Sequence, residues 1–60
     1  MMMNKGVLVN EYDEVVGKYW YRSGQNTFCV RLYGMNRNGY TEDGIWELAK
    51  RLDLYVIETK

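Results

Sequence analysis

The chain contains no proline, no histidine, a single cysteine and no excess of either charge. Each deficit removes a class of explanation. Without histidine, and with Cys29 alone, neither a zinc site of the usual Cys/His spacing nor an intramolecular disulfide can be assembled. Cys29 also lacks an imidazole to draw off its proton, so it reads as a structural cysteine within a strand rather than a nucleophile. Without proline, the punctuation between elements falls to Gly, Asn and Asp. Eight Lys and Arg balance eight Asp and Glu. That balance lacks the basic surplus of a typical nucleic-acid binder and the acidic surplus of a DNA mimic. Apolar runs last only a few residues, far short of the roughly 20 that cross a bilayer, so no membrane partner is expected. The opening Met1-Met2-Met3-Asn4-Lys5 has no long apolar stretch or cleavage site and does not read as a signal peptide. A lone free cysteine fits a reducing compartment, so the expected location is cytoplasmic.

What remains is 60 residues with six Tyr, two Trp and four Met. Residues 1–60 can form one domain, with no repeat, low-complexity tract or linker. A chain this short buries only about 60% of the surface its unfolded form exposes. It therefore needs close packing of its aromatics, or burial against a partner or a second copy.

Ile45, Leu48, Ala49 and Leu52 recur at i, i+3, i+4 and i+7, one apolar stripe of a short helix. Thr41 is placed to cap it, and Glu42 and Asp43 suit the positive end of its dipole. Gly44 weakens the first turn, while Lys50 and Arg51 complement the last. Trp46 lies one position off the stripe, on the flank of the core. Residues 6–12 begin as a strand, a turn follows at Asp13 and Glu14, and residues 15–22 are rich in β-branched and aromatic residues. Ser23-Gly24-Gln25-Asn26 is a turn. In residues 27–33, Phe28, Val30 and Leu32 share one face, while Cys29, Arg31 and Tyr33 share the other. Residues 34–40 read as a polar, glycine-flanked loop, and residues 54–59 as a last strand. The expectation is an α+β fold of order β-β-β-α-β: a small three- to four-stranded, mostly antiparallel sheet with one helix packed on one face. Strands joined through a helix commonly run parallel, but the last strand could equally pair with the first or second.

No catalytic signature accompanies this layout. Glu11, Asp13 and Glu14 form an acidic cluster, yet a solvated turn explains them better than a cleft with separated pKa values. The segment from Gly34 to Gly39 lacks the GxxxxGK[ST] pattern of a phosphate loop, and Glu42 and Asp43 at the following helix start would repel phosphate. An enzyme is not expected, nor is a metal or other cofactor.

The face turned from the helix carries more. With Phe28, Val30 and Leu32 toward the helix, Arg31 and Tyr33 face away, and Tyr19 and Tyr21 of the neighbouring strand join them if the register permits. Interface cores are enriched in Tyr, Trp, Met and Arg, and a Tyr/Arg sheet face is a large patch for a monomer. Arg37 in the following loop, and an exposed strand edge, would extend the contact. Tyr19, Tyr21, Arg31, Tyr33 and Arg37 are thus the expected partner-binding residues. The same face could instead stack single-stranded bases, which the charge balance makes less favoured, or close a homodimer.

Three segments, Phe28-Cys-Val-Arg-Leu-Tyr33, Ile45-Trp-Glu-Leu-Ala49 and Leu54-Tyr-Val-Ile57, together resemble the layout of small phage-encoded inhibitors of host enzymes. In those proteins, too, a short hairpin precedes a helix and one final strand. The segments contain no diagnostic motif, so the resemblance transfers no functional residue. It implies a class: a non-enzymatic protein-interaction module that occludes the surface of a larger host enzyme or defence complex in the bacterial cytoplasm.

Overall fold

The computed structural model describes residues 4–59; the initial methionines, read above as no secretion signal, lie outside them. Five strands and one helix follow in order: β1 Lys5–Val9, β2 Val15–Arg22, β3 Thr27–Leu32, β4 Met35–Tyr40, α1 Glu42–Arg51 and β5 Tyr55–Thr59. They form one α+β unit, a sheet of order β4-β3-β2-β1-β5 with every neighbouring pair antiparallel. No helix among the described residues is long and apolar enough to cross a membrane.

The strand count and element order correct the expected three- to four-stranded β-β-β-α-β arrangement, because the segment read as a loop is β4. Its residues, Met-Asn-Arg-Asn-Gly-Tyr, are all exposed except half-buried Tyr40. An edge strand that buries so little leaves no period-two signal in its side chains. Its extension comes from the backbone ladder to β3, closed by a two-residue turn at Tyr33 (φ +50) and Gly34 (φ +80). Positive φ at both central residues is what a type I′ hairpin requires. The strand entering the helix is therefore β4 rather than β3. Four antiparallel steps separate β4 from β5, so the two run in the same direction from opposite edges, and β5 pairs with β1. The connection carries the chain across roughly 19 Å of sheet, four spacings of about 4.8 Å. A ten-residue helix, about 15 Å long, covers most of that span.

Local chemistry fixes both ends of α1. Thr41 Oγ1 accepts the Gly44 N–H at 3.0 Å. At the other end the Asp53 N–H donates to Lys50 O (3.3 Å) and the Leu54 N–H to Ala49 O (2.8 Å), with Asp53 at φ +56. That pair of bonds is a Schellman motif, built on Asp where Gly is commoner. It turns Leu54 into the core beside Ala49. Leu52 departs from the expected stripe: it is the C-cap and 41% exposed, because the helix ends one residue before it. Trp46 lies outside the buried core and is 45% exposed.

The core lies between α1 and one face of the sheet. Ile45, Leu48 and Ala49 of the helix meet Leu8, Tyr19, Phe28, Val30 and Leu32, with Leu54 closing one end. Phe28 packs edge-on against two rings, Tyr19 at 5.9 Å and Tyr21 at 5.1 Å between centroids. Tyr19 is the largest fully buried side chain. It fits because its cross-strand partner is Gly6, where an added Cβ would lie 2.5 Å from the Tyr19 ring and 2.6 Å from the Ile57 carbonyl. The Tyr19 hydroxyl is buried without a hydrogen-bond partner among the described residues. Burial first, then the nearby Glu58 and Glu42 carboxylates, raise its pKa above the usual 10.0.

Two stability predictions follow from these placements. A raised phenol pKa contributes stability that is complete below about pH 10 and drains away as pH climbs toward the folded-state value. Tyr19→Phe should therefore keep or slightly raise stability at neutral pH, since it removes an unpaired polar group. It should also blunt the alkaline loss of stability, read as urea midpoints on either side of about pH 10. Tyr33→Asn, which supplies the Asn-Gly pair that type I′ turns favour, should stabilise the fold by about 1 kcal/mol in thermal melts.

Candidate binding face

Directly paired residues of an antiparallel ladder share a face, so the registers assign every strand side chain. Tyr21 pairs with Phe28 and Tyr19 with Val30, while Trp20 pairs with Cys29 and Lys18 with Arg31. Tyr19 and Tyr21 thus lie under the helix, not opposite it, which corrects the expected Tyr/Arg face. Tyr19 is only 1% exposed, and Tyr21 packs on the core flank with its hydroxyl 3.1 Å from Asn26 Oδ1. Arg37, expected in a loop that extends the contact, instead lies on edge strand β4, where it pairs with Val30 on the helix side. Tyr33 sits at the exposed tip of the β3–β4 turn. Of the five expected residues, Arg31 alone lies on the sheet face opposite the helix.

Rows across the ladders define what occupies that face. Arg22 and Thr27 form one row. Thr59, Lys5, Trp20 and Cys29 form the next, followed by Ile57, Val7, Lys18, Arg31 and Asn36. Four of the chain's eight cationic side chains therefore gather on β1, β2 and β3 of one face. All eight acidic residues lie elsewhere. Glu11, Asp13 and Glu14 sit in and beside the β1–β2 turn, Glu42, Asp43 and Glu47 on the helix, and Asp53 in the turn after it. Glu58 pairs with Gly6 on the helix side. A chain with no net charge thus presents a wholly cationic sheet face.

Along β2 the sequence Lys18-Tyr-Trp20-Tyr-Arg22 aims a cation, an indole and a cation outward, each about 6.7 Å from the next. Lys18 Nζ lies 5.8 Å from the centre of the Trp20 ring, near the outer limit of a cation–π contact. Cys29 is buried (1% exposed) beside them, and its Sγ accepts a long 3.9 Å bond from Arg22 Nη1. The thiol is thus a packed structural group under the cationic layer.

Two shallow depressions mark the face. One, of about 370 Å³, is lined by Lys5, Val7, Lys18, Trp20 and Thr59 over the Gly6 and Tyr19 backbone. The other, of about 300 Å³, lies beyond Lys18, between Val7, Val15 and Arg31. Along the row of Val15, Val9 and Tyr55, and at Ile57, the surface becomes apolar, with Val15, Tyr55 and Ile57 all about half or more exposed.

The acidic turn at residues 11–14 is held by the side chain of Asn10. Asn10 Oδ1 accepts the Tyr12 and Glu14 N–H groups, both at 2.9 Å, and its amide donates to Glu14 Oε1 at 3.0 Å. Glu11, Asp13 and Glu14 are all exposed there. No group of His, Cys, Asp and Glu among the described residues could hold a metal ion.

No protein-family model matches the chain, and neither a curated protein nor a solved structure shows significant similarity to it.

Lys18 and Arg31 are direct cross-strand partners, and like charges so placed destabilise a sheet by roughly 0.2–1 kcal/mol. Arg31→Gln, which leaves the Lys18–Trp20 contact in place, should raise stability by that amount at low ionic strength. The gain should fade at about 1 M salt, where screening reaches only about 3 Å. Equal gains at both salt concentrations would mean that the pair does not repel.

Proposed function

We propose that this protein is a small, non-enzymatic nucleic-acid-binding module that holds phosphates on the sheet face opposite its helix. The observation carrying this reading is the segregation of charge, with Lys5, Lys18, Arg22 and Arg31 around Trp20 and every acidic side chain among the described residues elsewhere. Binding to phosphate depends on the local potential a ligand meets, and a one-signed face focuses that potential whatever the net charge. The like-charged Lys18–Arg31 pair supports the same reading. It weakens the free protein, and a bound polyanion would turn the repulsion into two favourable contacts.

A second reading keeps the surface but changes the partner. The strip of Val15, Tyr55 and Ile57 beside the cations suits an acidic protein surface with an apolar centre, as expected of an inhibitor that occludes a larger enzyme. Such an interface would concentrate its energy in a few aromatic and Arg anchors. Four cations gathered around Trp20, with no acidic side chain in their rows, favour phosphate as the main ligand.

Each phosphate neutralised releases condensed counterions, so the logarithm of affinity falls with the logarithm of salt by about 0.7–0.9 per contact. Four cations predict a slope of about −3 in oligonucleotide titrations across salt concentrations. Replacing both Lys18 and Arg31 by Gln should lower its magnitude by roughly half. Replacing Lys50 and Arg51 on the helix should leave it unchanged. An absence of binding at low salt, or a slope that ignores Lys18 and Arg31 but responds to the helix, would overturn the proposal.

A further inference from the structure

We infer that the ligand of this face is single-stranded nucleic acid, with one unstacked base seated in the depression between Trp20 and Lys5. The inference rests on the proposed nucleic-acid function and adds the form of the ligand.

Three observations favour a single strand over a duplex. The first is width. The major groove of B-form DNA, about 12 Å across, admits a helix or a two-stranded ribbon, whereas this five-stranded sheet spans about 19 Å. Lying flat across a duplex, the sheet would meet only phosphates.

The second is the position of the indole. Trp20 stands at the centre of the cations, with Lys18 and Arg22 on either side of it along β2 and Lys5 across the ladder. A backbone held by those three cations passes beside the ring, within reach of a base that is not already stacked in a helix. A duplex would cover the half-buried indole with charge and give it no partner.

The third is the seat itself. The depression beside Trp20 is lined by Val7 and Thr59 together with Lys5 and Lys18. At about 370 Å³ it lies at the small end of ligand sites, which run from about 300 to 1,000 Å³. It brings apolar and aromatic side chains together with two cations, matching a planar heterocycle attached to a phosphodiester. In the free protein the Lys18 ammonium leans toward the ring. At an exposed site that contact is weaker than the stacking of a base on an aromatic side chain. The base displaces Lys18 from the indole, and the released ammonium is left beside the incoming phosphate.

The test uses fluorescence and binding titrations at low salt. Trp46→Phe, on the exposed side of the helix, leaves Trp20 as the sole tryptophan without altering the face. The probes are a short single-stranded oligonucleotide, a duplex of equal length, and an equally long strand made entirely of abasic deoxyribose-phosphate units. The single strand should quench Trp20 and bind roughly ten- to a hundredfold more tightly than the abasic strand, as expected when stacking is lost at 1.4 kcal/mol per decade. Trp20→Leu should erase that difference while leaving the weaker abasic affinity in place. Equal binding of all three probes, with no change in Trp20 emission, would overturn the base seat and leave the phosphate-binding face standing. Failure of every probe to bind would remove both. Should Trp20→Leu not fold, the quenching measured with Trp20 intact still decides the question.

Discussion

A four-residue turn places Arg22 opposite Thr27, and the period of two along β2 and β3 carries that pairing down both strands. Everything on the two faces of the sheet depends on this parity. With Arg22 against Thr27, Tyr21 must meet Phe28 and Tyr19 must meet Val30, so both tyrosines join the helix side. Trp20, Lys18 and Arg22 are then forced outward together with Cys29 and Arg31. A one-residue change in the turn would exchange the two sides of β2 and bury Lys18 and Arg22 beneath α1. The cost of unpaired buried charge forbids that alternative. The apolar side of β3 selects one register, and the charges of β2 exclude the other.

Gly6 completes the arrangement. Once Tyr19 points into the core, its ring needs the space a side chain on β1 would occupy, and the contact leaves no room even for a methyl group. The ring then reaches over β1 toward the β5 edge, where its hydroxyl lies near Glu58 without a hydrogen-bond partner among the described residues. So large a buried side chain matters in a domain of this size. A short chain has few positions with which to fill the space under a helix, and one tyrosine beside a glycine does the work of two medium side chains. The unpaired hydroxyl is the penalty accepted for that volume.

Much of the fold was legible in the sequence. The helix, its Thr41 cap, the turn at residues 23–26 and the core side of β3 follow from spacing and residue type, and the α+β class follows from them. β4 was not legible, because an edge strand with solvent on both sides has no apolar period to display. For the face, what failed was the pairing of the two sides of β2 with those of β3. Three tyrosines and an arginine made an attractive interface, yet the even-numbered turn already determined which side of β2 faces the helix. Charge spacing pointed the same way: Lys18 and Arg22 fall on one side of β2, whereas Gly17, Tyr19 and Tyr21 carry no charge. Net charge was the other obstacle. A sum of zero over the chain hides a separation that exists only once β1, β2 and β3 lie side by side and bring Lys5, Lys18, Arg22 and Arg31 together.

That separation bears on stability as well as recognition. In a marginal domain each fraction of a kcal/mol matters, and a cationic row crossed by a like-charged pair is a poor choice for stability alone. Exchanging a few Lys and Glu between the helix and the sheet would leave composition and net charge untouched while replacing repulsion with ion pairs. The chain instead keeps its carboxylates on the helix, on the β1–β2 turn and at the β5 edge. A ligand that binds only the folded state adds stability in proportion to its occupancy. A polyanion on the sheet would thus offset the repulsion that the free face carries. On this view the domain would be completed electrostatically by its ligand, much as small domains elsewhere are completed by a disulfide or a Cys/His zinc site, for which a chain with one cysteine and no histidine lacks the residues.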